Sequence, residues 1–174
     1  MRRIKSIKSG ICLLSQLFLL IIISGTSCAQ TNWSKLVYSY NAGSLPPPYH
    51  YSYTITVNSN GTAELLYTGG YQSDGKNTQK YSVDVSKANL NKLKNEIKES
   101  DILNIDIKSR PNDEIPDGGH SDDLKIFNNN DVINTVPNYP ELKYESTLNK
   151  LYKTIINCVP DEIWNEVNTI RSKE

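Results

Sequence analysis

Tyr51-Ser52-Tyr53-Thr54-Ile55-Thr56-Val57, then Asn58-Ser59-Asn60-Gly61, then Thr62-Ala63-Glu64-Leu65-Leu66-Tyr67-Thr68: this stretch decides the fold. Tyr51, Tyr53, Ile55 and Val57 alternate with Ser52, Thr54 and Thr56, and a period of two sends the two sets to opposite faces of a strand. Asn60-Gly61 supplies a turn that accepts positive φ, and the chain returns over residues 62–68. A β-hairpin follows.

Upstream, Lys35-Leu36-Val37-Tyr38-Ser39-Tyr40 has the β-branched and aromatic content of a strand. Asn41-Ala42-Gly43-Ser44 turns the chain, and Pro46-Pro47-Pro48 favours an extended run. Downstream, Gly69-Gly70 and Asp74-Gly75 bracket a flexible excursion before a strand over residues 79–85, with Tyr81, Val83 and Val85 in phase. Ser86 is placed to cap a helix, and Val85 with Leu90 has the spacing of a hydrophobic staple. Leu90, Leu93 and Ile97 form the stripe of that helix, which ends near Ser100-Asp101, with Ile102, Leu103 and Ile105 anchoring its exit.

Residues 109–123 are polar and rich in turn formers, so they read as a loop. Leu124 and Ile126 mark a short strand, residues 128–131 a turn, and residues 132–136 the return. Tyr144, Leu148, Leu151 and Ile155 fall at i, i+4, i+7 and i+11, one face of a helix. Pro160 restarts the chain in a first-turn position, and Ile163, Val167 and Ile170 make a last amphipathic helix with Trp164 beside them. Strands, a helix, strands and two helices in that order, without βαβ alternation, predict an α+β domain. Its mainly antiparallel sheet has about five or six strands, with one central helix and two C-terminal helices.

The N-terminus concerns destination. Arg2, Arg3, Lys5 and Lys8 precede the 13-residue apolar run ICLLSQLFLLIII and a small-residue exit, Ser24-Gly25-Thr26-Ser27-Cys28-Ala29. That order describes a secretory signal peptide, and the run is shorter than the roughly 18–20 residues a membrane-spanning helix needs. Gly25-Thr26-Ser27-Cys28 resembles a bacterial lipobox, with Gly25 standing where Leu is common. Cys28 is then the acceptor of a diacylglyceryl group and becomes the new N-terminus. The other route is cleavage after Ala29 by an ordinary signal peptidase, which leaves a soluble periplasmic or secreted protein. The expected organisation is a signal over 1–28, a short tether over 29–34 and one domain over 35–174.

Without the four basic signal residues, 15 basic side chains stand against 19 acidic ones, a net charge of −4. A mildly acidic chain does not favour nucleic acid as a partner. Cys12 leaves with the signal, and Cys158, among Ile155, Ile156 and Val159, reads as a small buried hydrophobe rather than a nucleophile.

Two constellations are candidates for chemistry. Asp113, Glu114, Asp117, Asp122 and Asp123 lie close in sequence beside Gly118-Gly119 and His120, a composition suited to a hard cation such as Ca²⁺. Their spacing is not that of an EF-hand loop, and the plainer reading is a solvated loop before a strand; no cofactor is expected. The second is aromatic: Tyr49, His50 and Tyr51, with Tyr38, Tyr40 and Tyr53 nearby, flank the proline run. Exposed aromatics there would dock a sugar or a protein, whereas the structural alternative is that alternate tyrosines cover the sheet. No Gly-x-Ser-x-Gly elbow, phosphate-binding glycine loop, His-Glu-x-x-His or Cys-x-x-Cys occurs.

At Gly43-Ser44-Leu45-Pro46-Pro47-Pro48-Tyr49-His50, running into Tyr53-Thr54-Ile55, and again at Val159-Pro160-Asp161-Glu162-Ile163-Trp164, the chain resembles a group of uncharacterised bacterial secreted or lipoprotein domains. The resemblance implies an exported α+β domain and carries over no catalytic residue. The expectation is therefore a non-enzymatic envelope protein, held to a membrane by lipid on Cys28, that binds an envelope protein or glycan. The alternative is an exported hydrolase or metal-binding enzyme using the 113–123 loop.

Overall fold

The computed structural model describes residues 33–46, 49–71 and 77–172. The signal segment, Cys28, Pro47, Pro48 and Asp74-Gly75 lie outside the described residues. Strands β1 (Lys35–Asn41), β2 (Tyr51–Asn58), β3 (Thr62–Gly69) and β4 (Thr78–Asp84) precede helix α1 (Lys87–Glu99). Strands β5 (Ser121–Asn128) and β6 (Asp131–Val136) follow, then helices α2 (Glu145–Ile156) and α3 (Asp161–Arg171). The strands form one six-stranded antiparallel sheet in the order β4-β3-β2-β1-β5-β6, so the domain is α+β.

The hairpin forms as its pattern predicts, with Tyr51 opposite Gly69 and Val57 opposite Ala63. The Gly61 N–H donates to the Asn58 carbonyl, and Gly61 takes φ +97°, a conformation open to glycine at little cost. Ser86 caps α1 by accepting the Asn89 N–H at 3.2 Å, which satisfies one of the free amides of the first turn. Pro160 stands at the N-cap of α3 rather than inside its first turn, and Asp161 and Glu162 place negative charge at that positive helix end.

Sheet and helices meet in one core. Leu36, Tyr38, Ile55, Val57, Leu65, Tyr67, Leu124 and Ile126 project from the sheet onto Leu93 and Ile97 of α1, Leu148, Leu151 and Ile155 of α2, and Val167 of α3. Registry carries this alternation across the strands: Tyr38 lies opposite both Ile55 and Leu124, and Leu36 opposite Val57 and Ile126. The tyrosines are therefore on the helix-covered face. The opposite face carries Ser39, Thr54, Thr56, Glu64 and Thr68, tied by cross-strand pairs such as Ser39 with Thr54 and Lys80 with Glu64.

Three expectations are corrected. The loop ends at His120, and Asp122 and Asp123 belong to β5, because pairing with β1 extends that strand back to Ser121. Trp33 and Ser34, expected in the tether, belong to the domain: Trp33 is buried, and the Ser34 N–H donates to Phe127 at 2.7 Å. The chain also turns at Pro46, whose carbonyl accepts the N–H groups of both Tyr49 and His50. Among the described residues no helix is long and apolar enough to cross a membrane.

Candidate functional site

At the Tyr40 end of β1 the apolar core gives way to an aromatic and polar cluster. Tyr40 lies opposite Tyr53 on β2 and Asp122 on β5, so a carboxylate takes the place in the core-facing row that Leu124 and Ile126 fill further along. A carboxylate in that row needs donors. Tyr38 donates its O–H to Asp122 Oδ1 at 2.5 Å, and His120 Nε2 lies 3.4 Å from Asp122 Oδ2. The imidazole also stacks on Tyr40, with centroids 5.5 Å apart.

The rings continue as an array. Tyr152 stacks on Tyr38 at 4.9 Å, Tyr40 on Tyr53 at 4.9 Å, and Trp164 meets Tyr53 edge-on at 5.1 Å. Arg171 lies over the Tyr51 ring at 4.6 Å. Burial, joined by the neighbouring phenol Tyr53 and the hydrogen bond to Asp122, raises the Tyr38 pKa well above that of a free tyrosine. Burial is also the main cause for Tyr40, Tyr53 and Tyr152, and the negative charges of Asp122 and Asp123 add to it at Tyr152. Held protonated, these phenols offer O–H groups and π faces, not nucleophilic phenolates.

Two clefts open on this cluster. The aromatic cleft, about 320 Å³, is lined by Tyr51, Tyr53, Tyr67 and Trp164, by Ile156 and Val167, and by the polar Asn157, Asp161, Asn168 and Arg171. The polar cleft, about 180 Å³, lies between α2 and the start of β5, lined by Arg110, His120, Asp122, Asn138, Glu145, Asn149 and Tyr152 among others. Arg110 is held there by its Nε–H to the Pro140 carbonyl at 2.7 Å and by Glu145 at 3.8 Å. On the other sheet face an open trough of about 460 Å³ is lined by groups including Ser39, Thr54, Asp123 and Lys125.

The acidic constellation is dispersed by the fold. Asp113, Glu114 and Asp117 are exposed on the loop, Asp122 is committed to Tyr38 and His120, and Asp123 lines the trough on the opposite face. Among the described residues no group of three or more His, Cys, Asp or Glu side chains is arranged to hold a metal ion. The physical reason is alternation: adjacent strand residues such as Asp122 and Asp123 point to opposite faces.

Tyr49, His50 and Tyr51 likewise do not form one patch. Tyr49 is 68% exposed, whereas His50 is 6% exposed and stacks on Tyr71 at 3.7 Å. The ring nitrogens of His50 face the Gly70 carbonyl and Asn41 Oδ1, so it fastens two loops together. Tyr51 alone of the three lines the aromatic cleft. Cys158 is buried, its Sγ–H donates to the Thr154 carbonyl at 3.4 Å, and burial pushes its thiol up to about 11.

Sequence reading missed Arg110, Glu145, Tyr152, Trp164 and Arg171 as site residues. One signal was present: Asp122, Leu124 and Ile126 share a strand phase, which marks a carboxylate on a core-facing row. No protein-family model matches the chain, and comparison with curated proteins finds no match.

Proposed function

We propose that this chain is an exported, lipid-anchored bacterial envelope protein whose domain binds a glycan in the aromatic cleft. The observation that carries the reading is the make-up of that cleft: Tyr51, Tyr53 and Trp164 line it in front of the buried Tyr67, together with the polar groups of Asn157, Asp161, Asn168 and Arg171. A sugar ring has apolar C–H faces that lie against aromatic rings and hydroxyls that pair with amide, carboxylate and guanidinium groups. The cleft also lies away from the N-terminal entry to the domain. The chain enters at the Lys35 end of β1, and the Tyr40 end is five residues on, about 17 Å at roughly 3.4 Å per residue.

The hydrolase alternative rests on the His120–Asp122 contact beside Arg110. Asp122 is committed to the Tyr38 hydroxyl and faces His120 with its other oxygen, and Glu145 faces Arg110, so the carboxylates of this cleft are engaged within the fold.

Two measurements on the full-length chain test the proposal. Wild type from a bacterial host should partition into membranes and carry a diacylglyceryl mass on Cys28, while Cys28→Ala is released or left unprocessed. A soluble wild type beginning at Gln30 refutes the anchor. Titration with N-acetylglucosamine oligomers and peptidoglycan fragments should perturb Trp emission, and Trp164→Ala should weaken binding at least tenfold. Absence of any response, or unchanged affinity in Trp164→Ala, refutes the glycan seat.

A further inference from the structure

We infer that the β4 edge of the sheet is a self-association surface, on which a second copy of this chain adds its own β4 antiparallel across a two-fold axis. The open sheet has two edges, β4 and β6. β6 carries devices that blunt an edge: its pairing with β5 shifts register at Ile126/Phe127, and the Asn134 amide fastens it to the carbonyls of Ile102 and Ile105. β4 pairs with β3 in unbroken register from Thr78 to Asp84 and holds no proline.

The ladder fixes which backbone groups of β4 face outward. Val85 donates its N–H to the Gly61 carbonyl at 2.8 Å, and Gly69 donates to the Asn77 carbonyl at 3.2 Å. Antiparallel partners alternate between pairs that exchange both bonds and pairs that exchange none, so the odd-numbered residues of β4 bond to β3. Thr78, Lys80, Ser82 and Asp84 therefore turn their N–H and C=O groups outward, and among the described residues no backbone bond meets them.

Charge selects the occupant and its register. Lys80 and Asp84 are exposed on the face away from the helices, where Lys80 reaches Glu64 at 2.7 Å. An ammonium has three donors, so a second carboxylate can join. When two copies pair about Ser82, Lys80 lies opposite the partner's Asp84, and Asp84 opposite the partner's Lys80. On the helix side Tyr81 lies opposite the partner's Val83. Opposite charges, and an aromatic ring with a β-branched side chain, are favoured cross-strand pairs. Centring on Lys80 would instead set like charges opposite each other, and centring on Tyr81 would set Lys80 opposite serine. A two-fold interface makes each favourable pair twice.

The association does not involve the aromatic cleft, and its test uses charge reversal. Sedimentation equilibrium is run on the full-length chain from a bacterial host, in low salt and density-matched detergent. Wild type should show a monomer–dimer equilibrium that weakens in high salt. Lys80→Asp sets Asp opposite Asp, and Asp84→Lys sets Lys opposite Lys, so each alone should weaken dimerisation tenfold or more. An equimolar mixture of the two variants restores both Lys–Asp pairs and should dimerise as wild type does. That recovery also shows that both variants are folded. A wild type that stays monomeric leaves the edge to a strand of some other protein and overturns the inference. Dimerisation unchanged in either single variant assigns the interface to another surface, and a mixture that stays monomeric refutes the register; both overturn it.

Discussion

Gly43 is the point at which one substitution should disturb both the fold and the polar cleft. Its φ is +79°, and a Cβ built there would sit 1.7 Å from the Gly119 carbonyl oxygen and 2.8 Å from the Gly119 carbon. Left-handed backbone costs an L-residue roughly 1–2 kcal/mol. The clash adds to this, because the obstacle is backbone and must move by at least 1.3 Å to restore a 3.0 Å contact. Forcing extra atoms into a packed contact costs about 1–3 kcal/mol more. Gly43→Ala should therefore lose roughly 2–5 kcal/mol, or about 8–20 °C in melting temperature at ~4 °C per kcal/mol for a domain of this size.

Gly118→Ala is the control. Gly118 has φ +87° but nothing within 4 Å of its Cβ position, so it should lose only the conformational part, about 1–2 kcal/mol. Thermal and urea unfolding of both variants measure the difference. A second readout is the ring of His120, the residue after Gly119, which packs on Tyr40 and faces Asp122. Its NMR signals should shift more in Gly43→Ala than in Gly118→Ala. Equal losses in the two variants, or a Gly43→Ala loss below about 1 kcal/mol, would refute the reasoning.

Two further predictions concern the buried polar groups. Tyr38→Phe removes the O–H that Asp122 accepts at 2.5 Å, and loss of a hydrogen bond to a charged acceptor should lower urea stability by about 1.5–3 kcal/mol; a variant as stable as wild type would show that His120 and solvent suffice for Asp122. In alkali, the Cys158 thiol has a folded-state pKa of about 11 against an ordinary 9.0, so the stability it contributes is complete below pH 9 and is lost as the pH rises through 11. The phenols of Tyr38, Tyr53 and Tyr152 are raised by burial and act in the same direction above pH 10. Cys158→Ala should flatten the fall in stability between pH 9 and 11, and native Cys158 should react with a disulfide reagent at pH 8 far more slowly than the unfolded chain; equal rates would refute its burial.

Much of the local structure was legible because its causes lie within a few residues of one another. Ser86 and Asn89 make their cap inside one helical turn, and Asn58 and Gly61 close their turn across three residues. The apolar spacing of Leu148, Leu151 and Ile155 foretold the buried face of α2. The site was less legible because its contacts span the chain: Tyr38 meets Asp122 across 84 residues. No local period encodes such pairs. Misplacing Asp122 in the loop had a similar origin, since the polar start of β5 becomes strand only through pairing with β1.

By itself, the sequence determined the α+β composition, the alternation of the strands and the caps and stripes of the helices, because backbone sterics and hydrophobic periodicity act locally. Only the tertiary structure decided that β1 lies between β2 and β5, that the strand tyrosines face the helices, and that His50 is buried while His120 reaches Asp122. Those outcomes depend on which strands find one another and which face the helices cover. Both are settled by burying the largest apolar surface at the least loop-closure cost, a property of the whole chain.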